Sequence, residues 1–292
     1  MMESGLLYAL AAAGVWGVWL FALKRYFAGV HAAVLTLFVN VSAIAWYLPT
    51  VAATSPDGFP AFPSLGATAV GVFAATVVLG GAAFIISVYA LGVGDVSYVA
   101  PIAKIVPVFV VPIEVLGLDA TLEPTAVLGI AVATSAVYLA NYEGGDLLTP
   151  LRKAATARPA QLALLSAMLY AASDIGRRLV LGDFAFPTRL WVPTFLAGIA
   201  VAVLPLALRR WPATGIRPYL PQFVLAGAGV AVGEHVTALA FASAPASIVS
   251  TLVNAQAIVA VLLGCLLLGE PGLRRRLGAA VLAVVGVGLI AV

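Results

Sequence analysis

The sequence predicts an all-α polytopic membrane protein, with ten transmembrane helices arranged as two inverted five-helix repeats. Three observations lead there. Of 292 residues, 63% are hydrophobic and 9% charged, with a mean hydropathy of +1.12. Such a chain has too few ionisable groups to cover a water-facing surface. Short polar breaks then divide it into stretches near the roughly 20 residues that a helix needs to cross hydrocarbon. Finally, the second half of the chain repeats the breaks of the first.

The spans fall at 5–23, 33–52, 66–92, 97–117, 124–141, 160–181, 188–208, 219–241, 246–268 and 274–291. In hydrocarbon every backbone N–H and C=O must be satisfied within the segment, so these read as helices rather than open strands. Span 1 does not read as a signal peptide, because Lys24-Arg25 follow its apolar run and no basic region precedes it. The breaks carry turn residues: Ser55-Pro56-Asp57-Gly58, Gly92-Val93-Gly94-Asp95 and Ala244-Pro245. Pro124 and Pro271 fall near helix starts, where a missing N–H costs nothing. Span 4 holds Pro101, Pro107 and Pro112, and proline well inside a helix removes a hydrogen bond and kinks it. The longest polar stretch, 143–159, includes Gly144-Gly145 and Arg152-Lys153. It divides a first five-helix unit, 1–142, from a second, 160–292.

A shift of 149 residues lays Val96–Leu139 over Pro245–Gly288 without a gap, and Leu128-Gly129 then falls on Leu277-Gly278. A repeat unit with an odd number of helices enters the membrane from the opposite side in its second copy. The expected result is an inverted-topology repeat of the kind built into many secondary transporters.

The motifs Gly14-Val15-Trp16-Gly17, Ala244-Pro245-Ala246-Ser247 and Leu268-Gly269-Glu270-Pro271 follow one another in order, and Leu277-Gly278 and a Val-Gly-Val-Gly helix close the chain. Through them nearly the whole chain resembles the ten-helix, EamA-type branch of the drug/metabolite transporter superfamily. Leu118-Asp119-Ala120-Thr121 departs from the pattern, standing where the second half has its Gly-Glu pair. The resemblance implies export or exchange of amino acids or related metabolites.

Ionisable groups within a bilayer cost about 2.5–3.5 kcal/mol on insertion scales, so each needs a partner or a wet cavity. Lys104, near the middle of span 4, has no acidic neighbour one turn away. It reads either as a group facing solvent or solute, or as half of a structural pair, and Glu234 in span 8 is the simplest partner. Asp174 stands three and four residues before Arg177 and Arg178, the spacing of a local ion pair; contribution to a solute site is the alternative. His235 points about 100° away from its neighbour Glu234, and reads equally as a ligand contact or as a neutral imidazole satisfied by a hydroxyl or a backbone group. Lys104 corresponds in the repeat to Val253, beside Asn254 and near Gln256; these amides suit solute contacts or interhelical hydrogen bonds alike. Trp16 and Trp19, with Tyr170 equivalent to Trp16, lie too deep for interfacial anchors and serve either core packing or a cavity wall. Pro101 joins them beside Lys104. Gly229 and Gly233 form a small-xxx-small pair for close helix approach.

The net charge of +3 resides at segment ends and does not suggest nucleic acid. One cysteine, Cys265, and two histidines are poor material for a disulfide or a metal site. No enzyme motif such as His-Glu-x-x-His or Gly-x-Ser-x-Gly is present. A non-enzymatic secondary transporter without cofactor is therefore expected in the cell membrane, moving small polar solutes by alternating access around a midplane cavity. A flippase for lipid or lipid-linked head groups is the alternative, and a monomer suffices. Span 1 has no acidic residue between Glu3 and Lys24, which disfavours proton antiport through that helix. Counted along the chain, the odd-numbered loops hold Lys24, Arg25, Arg152, Lys153, Arg158, Arg209, Arg210, Arg217 and Arg274–Arg276, against little beyond Arg189 in the even ones, with Arg177 and Arg178 inside or at the edge of span 6. Lys/Arg excess marks the cytoplasmic side and puts both termini outside, whereas the resemblance favours termini in the cytosol.

Overall fold

The structure, a computed structural model, describes residues 2–27, 29–54, 61–93, 102–141, 146–148, 152, 155–212, 215–268 and 273–291. Regular structure among these residues is entirely helical. The first half supplies α1 (Met2–Tyr26), α2 (Ala32–Thr54), α3 (Ala67–Val93), α4 (Val106–Gly117) and α5 (Pro124–Asn141). The second half begins with α6 (Arg158–Arg178), which runs into a π-helical turn at Leu179–Asp183, and continues with α7 (Thr188–Arg209) and α8 (Leu220–Ser243). It ends with α9 (Ala246–Asn254), α10 (Gln256–Leu268) and α11 (Leu273–Ala291). Prolines in the first turns of α4, α6 and α8 occupy positions whose N–H would have no helical partner.

By length and composition, α1, α2, α3, α7, α8 and the combined α9–α10 can each cross a membrane, while α4 and α5 are shorter apolar helices. Leu116, Leu225 and Val284 are among many large apolar side chains left on the outer surface. In water such a surface would aggregate; against lipid it carries no penalty.

Two spans differ from the sequence expectation in the same way. Span 4 is not one bent helix: Lys104 and Ile105 interrupt it, with Ile105 N–H donating to Ile102 C=O at 3.2 Å. Pro107 therefore opens the second piece instead of kinking the first, and Pro112 is the proline left inside it. Span 9 is broken at Ala255, whose N–H donates to Leu252 C=O at 3.1 Å. Under the 149-residue shift the two interruptions coincide to within one or two residues.

The packing pairs α2 with α7, α4 with α9 and α5 with α11, counterparts in the two halves, head to tail. Ala33 and Val34 at the start of α2 meet Ala207 at the end of α7. Gly129 of α5 meets Gly286 and Ile290 of α11, and further along Ala136 and Val137 meet Ala283 and Ala279. A Cβ on Gly286 would lie 2.7 Å from Ala133 N and 2.8 Å from the Gly129 carbonyl oxygen, so these backbones touch because neither glycine carries a side chain. The crossed pairs are also equivalent: α1 runs against α8, as α6 runs against α3. Ser166 and Ser173 of α6 donate to the Ala83 and Thr76 carbonyls of α3, each at 3.1 Å. On α8, Gly233 gives the space in which the Trp16 indole lies, 3.0 Å from where a Cβ would be. Gly229 meets nothing, so of the expected small-residue pair only Gly233 makes a close approach.

Candidate functional site

The interior of the helical bundle is largely apolar, and several of its polar groups converge from α4, α6, α7, α8 and α9. One centre is an ion pair. Arg177 at the end of α6 donates from Nη1 to Glu234 Oε1 on α8 at 2.9 Å. The Trp191 indole N–H, from the first turn of α7, donates to the same oxygen at 3.1 Å. Glu234 is 3% exposed and Trp191 fully buried. The Arg177 guanidinium lies 4.3 Å above the Phe195 ring, which itself stacks on Trp191 at 4.9 Å. Arginine suits this place because its planar, weakly hydrated cation can stack and hydrogen-bond together.

This arrangement corrects two sequence expectations. Glu234 pairs with Arg177, not Lys104, because the last turn of α6 faces the middle of α8 whereas Lys104 sits at the interruption of span 4. Asp174 forms no local ion pair: Arg177 is drawn to Glu234, and Arg178 turns to Asp183 in the π-helical turn at 3.6 Å. The partly buried Asp174 carboxylate instead faces the Ser250 hydroxyl of α9.

A second centre joins the halves. Glu114, 3% exposed, accepts the Ala246 N–H on Oε1 at 2.6 Å and the Ser247 N–H on Oε2 at 2.9 Å. These are the first N–H groups of α9, which have no partner in the helix. Its N-cap is Pro245, which supplies no capping side chain. A carboxylate from α4 thus takes the place of a cap and meets the positive end of the helix dipole.

The Glu114 contact also fixes the level of the two interruptions. Lys104 lies ten residues before Glu114, and Gln256 ten residues after Ala246. At 1.5 Å per residue each is about 15 Å from the cap, along antiparallel segments. The broken ends of the two spans therefore face the same depth, near the middle of the bundle. Lys104 is partly buried there, and among the described residues its ammonium has neither an ion-pair nor a hydrogen-bond partner. The first turns of α4 and α10 begin at this level, and both point the positive ends of their helix dipoles toward it.

The other expected site residues lie around these centres. Asn254 Nδ2 donates to Ser250 O at 2.9 Å and to Ser250 Oγ at 3.5 Å. Gln256 opens α10, and its carbonyl oxygen lies 2.9 Å from where a Cβ on Gly17 would be, so α1 passes directly beside the α9–α10 interruption. The neighbouring Trp16 donates from Nε1 to Thr237 Oγ1 on α8 at 2.9 Å. Tyr170 stands one turn before Asp174 on α6. His235 is satisfied by the Tyr47 hydroxyl at 2.9 Å, on a different side of α8 from Glu234. Trp19 joins an aromatic stack with Phe27, Phe223 and Phe38, remote from the charges. Pro101 lies outside the described residues.

Two recesses lie on the flanks. One of about 810 Å³, between α2 and α8, is lined by apolar groups such as Phe38, Trp46, Pro49 and Phe223. The other, about 340 Å³, runs between α4 and α5 along Pro107, Pro112 and Ile130.

Sequence reasoning missed Glu114, Trp191, Ser250 and Tyr47 as interior polar contacts. A signal existed for Glu114. The start of α9 has no Ser, Thr, Asp or Asn at its N-cap, and a helix start inside a membrane protein must find an acceptor elsewhere.

No match was found among curated proteins. The chain is similar to a solved crystal structure of a protein at 15% identity and a TM-score of 0.79, covering 100% of this chain and 99% of the other; at that identity the likeness concerns the fold. The model of the EamA-like transporter family matches residues 3–142 and again residues 158–292. With its all-helical two-repeat architecture and apolar spans, the chain belongs to the EamA-like transporter family, whose members are multi-pass membrane transporters of small solutes.

Proposed function

We propose that the protein exchanges or exports small polar organic solutes carrying an anionic group, amino acids or related metabolites, across the cell membrane by alternating access. The single observation behind this reading is Lys104, an ammonium held at a helix interruption without a partner among the described residues. A cation so placed is costly unless water or a ligand meets it. The N-termini of α4 and α10 at the same depth add positive dipole ends, which favour anions. Asn254, Gln256 and Trp16 supply neutral hydrogen-bonding and aromatic surface nearby.

The two halves, 1–142 and 160–292 about the linker 143–159, act in this proposal as inverted five-helix repeats. The antiparallel pairing of α2 with α7, α4 with α9, and α5 with α11 supports inversion, since equivalent helices of an inverted repeat run in opposite directions. Loop charges support cytoplasmic odd-numbered loops and termini outside. The Glu114 contact then lies towards the outer side, and rocking of one half on the other alternately exposes the level of Lys104.

The test is uptake into proteoliposomes loaded with one unlabelled solute, screened over labelled amino acids, other carboxylates and phosphorylated metabolites. Counterflow of at least one carboxylate- or phosphate-bearing solute is expected. Flux confined to cations or neutral solutes would refute an anion site. The apolar recess between α2 and α8 favours the rival reading, movement of lipid head groups, and scrambling of fluorescent phospholipid in the same vesicles would support it instead.

A further inference from the structure

We propose that Asp174 is the binding site of an exchangeable proton, and that its occupancy is transmitted through Ser250 and Asn254 to the interruption between α9 and α10. The proposal rests on the transport reading above and adds the ion that drives it.

The interior around Asp174 is unbalanced in charge. Two carboxylates, Asp174 and Glu234, share one guanidinium, and Arg177 is committed to Glu234 at 2.9 Å and to the Phe195 face at 4.3 Å. The other cation in the last turn of this helix, Arg178, serves Asp183. An unpaired carboxylate in a low-dielectric interior favours its neutral, protonated form. Glu234 is nearly sealed, whereas Asp174 keeps part of its surface open, so protons have access to the second carboxylate and not to the first.

The ionisable groups facing Asp174 are few. On its own helix they are Tyr170 and Arg177, and from α8 Glu234. The stretch of α3 that packs on α6, Val72–Ala83, has none, and neither has α9. On α4, Glu114 is occupied by the Ala246 and Ser247 N–H groups, and Lys104 lies ten residues earlier on the same span. Among the described residues, therefore, no neighbouring group replaces the proton.

A relay leads away from the site. The Ser250 hydroxyl faces Asp174, and its oxygen also lies 3.5 Å from Asn254 Nδ2. With Asp174 ionised, Ser250 donates to the carboxylate and accepts from Asn254. With Asp174 protonated, the carboxyl becomes a donor toward the same oxygen, and the hydroxyl must turn. Asn254, the last residue of α9, keeps its 2.9 Å bond to the Ser250 carbonyl oxygen, but its longer contact with the hydroxyl shifts one residue before the interruption, where α10 begins beside Gly17 and Trp16. Proton uptake and solute contact thereby bias the same joint.

The test uses the full-length protein in proteoliposomes, with the counterflow substrate found above and a trapped pH indicator. For wild type, a one-unit pH gradient is expected to drive accumulation of up to about tenfold for one proton per solute, with a matching change in lumenal pH. Asp174→Asn should lose both effects, and Asp174→Glu, which restores a carboxylate, should keep them. Wild-type counterflow that ignores the gradient overturns the proton site and leaves the transport reading standing. Absence of counterflow for every solute instead fails the transport reading. Persistence of the gradient effect in Asp174→Asn, or its loss in Asp174→Glu as well, overturns the assignment to this carboxylate. Thermal unfolding of each purified variant separates these results from misfolding, and a misfolded Asp174→Asn with gradient-insensitive Asp174→Glu also counts against it.

Discussion

At the scale of residues, Glu114 does for α9 what water does for a helix end in a soluble protein. Its two oxygens take the Ala246 and Ser247 N–H groups in a site 3% exposed. Removing the carboxylate strands two buried donors, each costing about 1–3 kcal/mol. Glu114→Ala is therefore expected to lower the thermal midpoint of the detergent-purified protein, and Glu114→Gln, which keeps one acceptor, to lower it less. An unchanged midpoint for the alanine variant would show that water serves as well. The identity of this cap was not legible in the sequence, because Glu114 and Ala246 are 132 residues apart and only the fold brings them together. The same holds for Glu234. Its need for a cation was plain from its depth, and the sequence pointed to Lys104, but the facing of α6 on α8 decided for Arg177.

At the scale of elements, hydropathy and turn residues located the helices, and the boundaries of α2, α5 and α7 fell within two residues of expectation. The interruptions were only half visible. Span 4 advertised its own with prolines; span 9 has none, and its break at Ala255 could have been inferred only by carrying Pro107 through the repeat onto Gln256, where α10 begins. Glycine spacing was a poor guide to close packing, because the spacing does not tell which glycine faces a backbone. Gly286 and Gly229 make the contrast testable. Gly286→Ala forces Ala133 and Gly129 main chain apart and should lower the thermal midpoint. Gly229→Ala meets open space and gains helix propensity of about 1 kcal/mol, so its midpoint should stay or rise. Equal effects from the two would mean that the α5–α11 contact is looser than its geometry.

At the scale of the whole molecule, each half supplies one interrupted helix, and antiparallel pairing brings the interruptions to one depth. The architecture was legible because apolar length and the 149-residue register are properties of the chain itself. The charged centre was not, because partner choice depends on helix rotation. The proposed orientation rests on the odd-loop cations: single cysteines placed at residue 147 and, separately, at residue 122, in a Cys265→Ser background, should react with an impermeant thiol reagent in intact cells only at 122. Labelling at 147 would invert the topology. The most direct measurement for the solute site is counterflow of a carboxylate-bearing solute by wild type, Lys104→Met and Lys104→Arg in proteoliposomes. Loss of a charge-assisted hydrogen bond is worth about 1.5–3 kcal/mol, so Lys104→Met should fall at least roughly tenfold, with its thermal midpoint unchanged and Lys104→Arg retaining most of the flux. Transport by Lys104→Met at the wild-type rate would contradict an anion site at the interrupted helices.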